Sequence, residues 1–444
     1  MIDNTAKTAD DVKIVELTLI SSVGKNADLR KIFNVLNIYE DIFEHVITGT
    51  IQLVDGVNLL GEFAIHGNEY LRVVLEKDGL GKYERMFRIY KITDREKSPA
   101  SQTQTYLLHF CSEELIFSNQ LSISRALSGK NTSDYIKTIC TRDLQISKLG
   151  AFDQSKGPTE FTLTRKNPLD AIQYLTENSF GDSNSPFFFY ENNNGFNFQS
   201  LINIYKGTSL GDLVYNRAAY TTDSNEGPYK NFNTIKSFKF NSNFNIVKAT
   251  EEGMYSSKLY TLDLITQKYV KGEISILDEQ TKQVMIDGYF PFNETPNKNN
   301  DPLYAAYDSK VRYWLTNKNR SNLPYFISKR VRSNDTYVEE ILAQRKMLIN
   351  AINNTELHCV VPGNPKYSVG YTLNIKVPAF TVDKDNQQNY DEYYSGTYLI
   401  SAVRNVITQN SWQTVIELSK NSLSAPLSSA AGNFNKIAQR IQRI

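Results

Sequence analysis

Three alternating segments near the start of the chain return, in the same order, near its end. NEYLRVVLEKDG, MFRIYKITDRE and TQTYLLHFCSEE are matched by VGYTLNIKVPAF, TYLISAVRNVIT and SWQTVIELSKNS. Further upstream, TGTIQLVDGVNLL is matched by SKLYTLDLITQKY. In YLRVVLEKD, Leu71, Val73 and Leu75 alternate with Arg72, Val74 and Glu76, and in TYLLHF, Tyr106, Leu108 and Phe110 alternate with Leu107 and His109. A period of two is that of a strand with one buried face. The turn pairs Asp55-Gly56, Gly67-Asn68, Asp78-Gly79 and Ser98-Pro99 punctuate the first set. Several short strands punctuated in this way indicate a barrel or sandwich. The matched order predicts an internal duplication of one β-barrel unit, in residues 1–112 and again in 231–272 plus 354–421.

Between the copies the period changes. In NTSDYIKTIC, capping residues precede Ile136 and Ile139; in NPLDAIQYLTENSF, Asn167 can cap, Pro168 suits a first turn, and Leu169, Ile172 and Leu175 share a face. PFFFYENNNGFNFQSLINIY then reads as two aromatic strands around an Asn-Gly turn. Residues 113–230 are therefore expected to form a small α+β domain. Residues 273–353 are expected to be an insertion with helices, because Val338, Ile341, Leu342, Leu348, Ile349 and Ile352 hold one helical face. The tail, 422–444, ends in a short amphipathic stretch whose Phe434, Ile437, Ile441 and Ile444 are candidates for docking on a partner. The fold class is mainly β with α+β insertions.

Lys plus Arg is 49 and Asp plus Glu is 48 in 444 residues, a balance that gives no field to steer the chain onto duplex nucleic acid or an anionic bilayer. The polar start MIDNTAKTADDVK is not a signal sequence, and no run is long enough to span a membrane. Cys111, Cys140 and Cys359 form no CxxC, which argues against a disulfide framework or zinc site.

The stretch LHCVVPGNPKYSVGYTLNI places His358 beside Cys359 and a glycine loop. On a strand the two side chains point to opposite faces and cannot act as a nucleophile–base pair. The loop lacks GxxxxGK[ST] and GxGxxG and leads into a strand, so Pro362, Gly363 and Gly370 are read as structural turn residues, as is Gly195 in the hairpin. His45, His66 and His109 share no metal-ligand spacing. Glu113-Glu114 and Asp391-Glu392 are adjacent pairs, read as solvated charge rather than a glycosidase couple facing across a cleft. No catalytic, cofactor-binding or metal-binding residue is assigned, and no cofactor is expected.

NIYEDIFEHVITGTIQLVDGVNLL, GNEYLRVVL and NPLDAIQYLTENSFGDSNSPFFFYENNNGFNFQSL together resemble the central baseplate hub proteins of contractile-tailed phages of the T-even type. VVPGNPKYSVGYTLNI and TYLISAVRNVIT are similar to the second barrel of that family, and the whole is related to the hub portion of type VI secretion spike proteins. The resemblance covers roughly residues 12 to 421. It implies two tail-tube-like barrels per chain and a homotrimeric hollow ring with pseudo-sixfold symmetry. Such a ring adapts a trimeric central spike protein to a hexameric tail tube or tube-initiator protein, contacts other baseplate proteins, and passes DNA through its lumen without membrane insertion. The implied location is the virion tail baseplate, assembled in the host bacterial cytoplasm. The alternatives are a tail-associated cell-wall or polysaccharide hydrolase, a glycan-binding receptor module, and the hub of a type VI-like spike.

Overall fold

The computed structural model describes residues 9–425 apart from 22–23, 64, 98–102, 158, 216–232, 243–244, 264–267, 277–282, 290–310, 317–337 and 380–389. The docking-tail residues Phe434, Ile437, Ile441 and Ile444 lie outside the described residues. The first sheet unit contains β1 (Lys13–Ile20), β2 (Asn26–Asp28), β3 (Phe33–Asp41), β4 (Thr48–Asp55), β5 (Tyr70–Lys77), β6 (Gly81–Lys97) and β7 (Gln104–Cys111), with α1 (Leu59–Phe63) between β4 and β5. The strands pair in the order β3-β4-β7-β6-β5, with β1 beyond β5. The alternation decides which side is core: Leu71, Val73, Leu75, Tyr106, Leu108 and Phe110 are all fully buried in one cluster.

The chain then builds a smaller α+β region. It comprises α2 (Glu113–Gln120), β8 (Ile123–Lys130), α3 (Thr132–Thr138), β9 (Leu149–Phe152), β10 (Thr159–Lys166), α4 (Pro168–Glu177), β11 (Phe187–Asn192), β12 (Gly195–Ser200) and α5 (Leu201–Lys206). Asn167 is the N-cap of α4 and Pro168 its first residue, but the Asn167 side chain makes no capping bond. Ser118 of α2 does that work instead, its Oγ accepting from the Leu169 N–H at 3.0 Å. The aromatic hairpin forms as β11 and β12, with Asn192 opposite Gly195. Its turn differs from the Asn-Gly type expected. The two turn residues are Asn193 and Asn194, neither of which has a positive φ, while Gly195 takes φ +109°.

The second unit contains β13 (Ser209–Tyr215), β14 (Thr234–Ile235), β15 (Ser237–Ser242), β19 (Thr355–Pro362), β20 (Thr372–Lys376), β21 (Gly396–Ile407) and β22 (Trp412–Lys420). Its pairing order is β15-β19-β22-β21-β20, with β13 beyond β20. That is the order of the first unit, strand for strand. The ladder between β6 and β7 breaks register between Ile89 and Lys91, and that between β21 and β22 breaks between Ile400 and Ala402, the matching place in MFRIYKI and TYLISAV. The outermost strands differ: β1 runs antiparallel to β5, whereas β13 runs parallel to β20.

Two sequence expectations are corrected here. SKLYTLDLITQKY is not the counterpart of TGTIQLVDGVNLL. It forms β16 (Ser256–Asp263) and runs into β17 (Lys268–Ser275), in a separate sheet with β18 (Val311–Thr316). The strand that occupies β4's place is β19, because both sit between the first and last strands of their units. Register also shifts one pairing by a residue: Leu71 lies opposite Phe87 and Leu373 opposite Tyr398, so Leu71 matches Leu373 rather than Thr372.

The insertion packs α6 (Ile246–Glu252) and α7 (Val338–Ile352) with that separate sheet. On α7 the buried apolar residues are Ala343, Met347, Leu348, Ala351 and Ile352, while Leu342 and Ile349 are only half-buried. The reason is that α7 serves two cores. Met347 and Ala351 face the insertion, and Leu348 and Ile352 face the second unit. Among the described residues, no helix is long and apolar enough to cross a membrane.

Candidate functional site

The feature that joins everything is a strand edge. β3 pairs antiparallel with β21, from Ala402 opposite Asp41 to Ile407 opposite Leu36, so both units lie in one 14-stranded sheet. Trp412 and Ile407 come from the second unit yet are buried in the first unit's core. Trp412 donates its indole N–H to Asn405 Oδ1 at 2.9 Å, and the Thr414 hydroxyl donates to the same oxygen at 2.8 Å. Across the joint, the Arg404 guanidinium donates to Asn37 Oδ1 at 3.0 and 3.1 Å.

The aromatic hairpin braces the joint. Phe187 and Phe189 enter the α+β core, whereas Phe188 and Tyr190 enter the core of the second unit. Strand alternation thus lets β11 serve two cores at once. The next residue inward, Glu191, is a buried carboxylate: it accepts from the Ile47 N–H at 2.9 Å and from the Ser112 hydroxyl, and lies 3.3 Å from Arg85. Burial pushes its carboxyl upward against the pull of Arg85. Glu40 on β3 is the second: it accepts from the Ser368 hydroxyl and from the Val369 N–H at 3.2 Å. Burial raises Glu40 to about 7, only partly offset by those two donors. The two carboxylates therefore tie β3, β6, β11 and the 363–371 loop into one seam.

The turn residues serve packing. Pro362 ends β19, and the Gly363 N–H donates to Trp412 O at 2.8 Å; a Cβ there would meet the indole ring at 2.2 Å. Gly370 has φ +81° and lies against the Tyr190 ring, where a Cβ would meet the hydroxyl at 2.0 Å. Gly195 approaches the Lys148 carbonyl in the same way. His358 and Cys359 are on opposite faces: Leu357, Cys359 and Val361 are fully buried, and the His358 side chain is 37% exposed. His45 is largely buried beside Phe189, and His109 accepts or donates with the Thr93 hydroxyl at 2.8 Å.

Glu113 and Glu114 are not the solvated pair expected. Glu113 accepts from the Tyr70 hydroxyl at 2.6 Å and lies 3.3 Å from Arg88, and burial raises Glu114 to about 7. Asp391 caps a turn, accepting from the Tyr393 and Tyr394 N–H groups. A cleft of 660 Å³ opens between the 42–45 loop, α4, β11 and α7, with Glu177 and Glu252 on its walls. Glu177 accepts from Gln173 at 2.6 Å, and Glu252 lies 4.0 Å from Lys248, the engagements of ordinary surface charges.

No protein-family model matches this chain, and no curated protein matches it by sequence. Solved structures do. The tail protein from Neisseria meningitidis MC58 is similar over 93% of this chain and 99% of its own, with a TM-score of 0.53 and 11% identity. The 43 kDa tail protein of prophage MuSo2 from Shewanella oneidensis is similar over 93% and 100%, with a TM-score of 0.50 and 10% identity. At such identities the likeness defines the fold. The chain has the fold of phage tail proteins, the class to which the sequence resemblance pointed.

Proposed function

We propose that this chain is the structural hub of a contractile phage tail, three copies closing into a hollow ring between a central spike and the tail tube. In this reading residues 1–112 are the first tube-like domain. Residues 209–242 with 354–421 are the second, 113–208 brace the two, and 243–353 are inserted on the outside. The observation that carries the reading is the β3–β21 joint together with two matching open edges. β21 pairs with β20 through its first half and with β3 through its second. Its counterpart β6 pairs with β5 only from Gly81 to Arg88, so among the described residues 90–97 have no strand on that side. β15, the counterpart of β3, likewise pairs with a strand on one edge only among the described residues.

An open β15 and an open second half of β6 are the two halves of the joint already made inside the chain. Pairing one copy's β15 with the next copy's β6 repeats that joint head to tail, and such a contact closes into a ring when the rotation allows. If inner and outer joints turn alike by about a sixth of a circle, three chains of two units close it. Nothing in the net charge would make the bore of such a ring hold DNA tightly.

By the internal register, carried through the extra residue between Thr93 and Glu96, Lys239 falls opposite the neighbour's Glu96. A chain carrying both Lys239→Cys and Glu96→Cys is expected to oxidise to covalent trimers, with a native mass of three chains. The three native cysteines are buried and give little background. A closed dimer, or no inter-chain bond in the assembled ring, would overturn the arrangement.

A further inference from the structure

We propose that Glu356, His358 and Glu417 form a binding site for a divalent first-row transition ion, with zinc as the reference case. All three stand on the face of the second unit away from its core. Glu356 and His358 are two apart on β19, and Glu417 of β22 lies directly opposite His358 in the ladder. Strand register, not a loop, brings them together.

His358 Nε2 is 3.0 Å from Glu356 Oε1 and 3.3 Å from Glu417 Oε2, and the ligand atoms all lie within 4.8 Å of one another. Two atoms each about 2.1 Å from one zinc sit ~3.0–3.4 Å apart, depending on octahedral or tetrahedral geometry. A single imidazole N–H satisfies one carboxylate well, whereas a cation satisfies both. The Ser401 hydroxyl donates to Glu417 Oε1 at 2.9 Å, leaving Oε2 turned to the site; the exposed Asn241 amide donates to Glu356 Oε1 at 3.1 Å and lies 2.9 Å from His358 Nε2, and it swings aside when a cation enters. The imidazole favours zinc, nickel or copper over magnesium or calcium.

Two charges bear on the site from neighbouring strands. Lys239 of β15 lies opposite His358 and opposes a cation, but it is exposed and free to extend outward. Asp41 lies near enough to Glu417 for the two charges to be felt, which favours one. The matching positions of the first unit are Thr48, Thr50 and His109, a poor donor set, so the site belongs to the second unit alone. Three protein ligands leave positions open toward solvent, where water or a donor from another molecule completes the sphere.

The test is titration of chelator-stripped full-length protein with zinc, and with cobalt read by its visible absorption. One saturable site per chain is expected, with uptake falling as the medium is acidified, because an imidazole must shed its proton to ligate. Glu417→Gln, nearly isosteric, and His358→Ala, at a half-exposed position, should each weaken binding at least tenfold. Absence of saturable uptake overturns the proposal, as does uptake unchanged in both variants; circular dichroism checks that each variant is folded.

Discussion

The two sheet units share a strand order and differ in what connects β3 to β4 and β15 to β19. In the first, β3 passes to β4 through residues 42–47; in the second, β15 reaches β19 only after the whole insertion. The pairing order is nevertheless the same, and the irregularity near Tyr90 and Ser401 recurs in both, although the first unit adds a second one between Thr93 and Glu96. The difference teaches that pairing order is set by the alternating faces, which must find a common core, and not by connection length, whose entropic cost grows only slowly. It also explains the unequal edges. The first unit's edge strand β3 is covered by β21, whereas among the described residues no strand covers the matching edge of β15.

Removing the residue that crosses between the units should have the largest effect. Trp412→Ala empties a fully buried site in the first core and removes the indole bond to Asn405. A loss of about 3–5 kcal/mol is expected in denaturant unfolding. If the first unit alone is stable, the transition should split in two; a loss below about 1 kcal/mol would show that the units do not share a core through this residue.

The buried carboxylate of the joint should act through pH. Glu40 is held near 7 in the folded chain against about 4.3 unfolded. The folded state therefore keeps a proton that the unfolded state gives up, and stability falls as pH rises from about 4.5 to about 7. The span is on the order of 4 kcal/mol at most. Glu40→Gln should flatten that part of the profile and leave the variant more stable than the parent at pH 8. A profile unchanged by the substitution would place the proton elsewhere, with Glu114 next in line.

The smallest effect belongs to the solvent face. Arg404→Ala removes the bonds to Asn37 across the joint but leaves the ladder intact, and should lower stability by no more than about 1 kcal/mol. A larger loss in thermal melts would mean that the polar face, and not Trp412, sets the strength of the joint.

Much of this was legible in the sequence because burial in a sheet writes itself as a period of two. The equivalence of MFRIYKI with TYLISAV was readable from alternation alone, and so was the opposition of His358 and Cys359. What was not readable depends on partners distant in the chain. SKLYTLDLITQKY alternates as well as any strand, and nothing local says which sheet it joins. Glu113 looks solvated until Arg88 and Tyr70 are brought over it, and Glu114 until the fold buries it. Glu417 is unremarkable until β22 lies beside β19. Gly195 signalled the hairpin, but whether it would sit inside the turn or just after it was decided by its contact with Lys148.

The β3–β21 joint links residues 367 positions apart, as in the bond from Arg404 to Asn37. A ribosome adds roughly 5–20 residues per second, so β3 is made roughly 20–70 s before its covering strand. For that interval the first unit has folded partners on one side and a bare ladder on the other, the condition in which chains join wrongly. Glu40 and Asp41 place two carboxylates at the end of that bare edge. While exposed to water they are charged and repel a stray strand. Only when the chain that carries Ser368 and Val369 buries it does Glu40 keep a proton, burial outweighing the pull of those two donors. The residue that makes the finished joint sensitive to pH is thus, during synthesis, its guard.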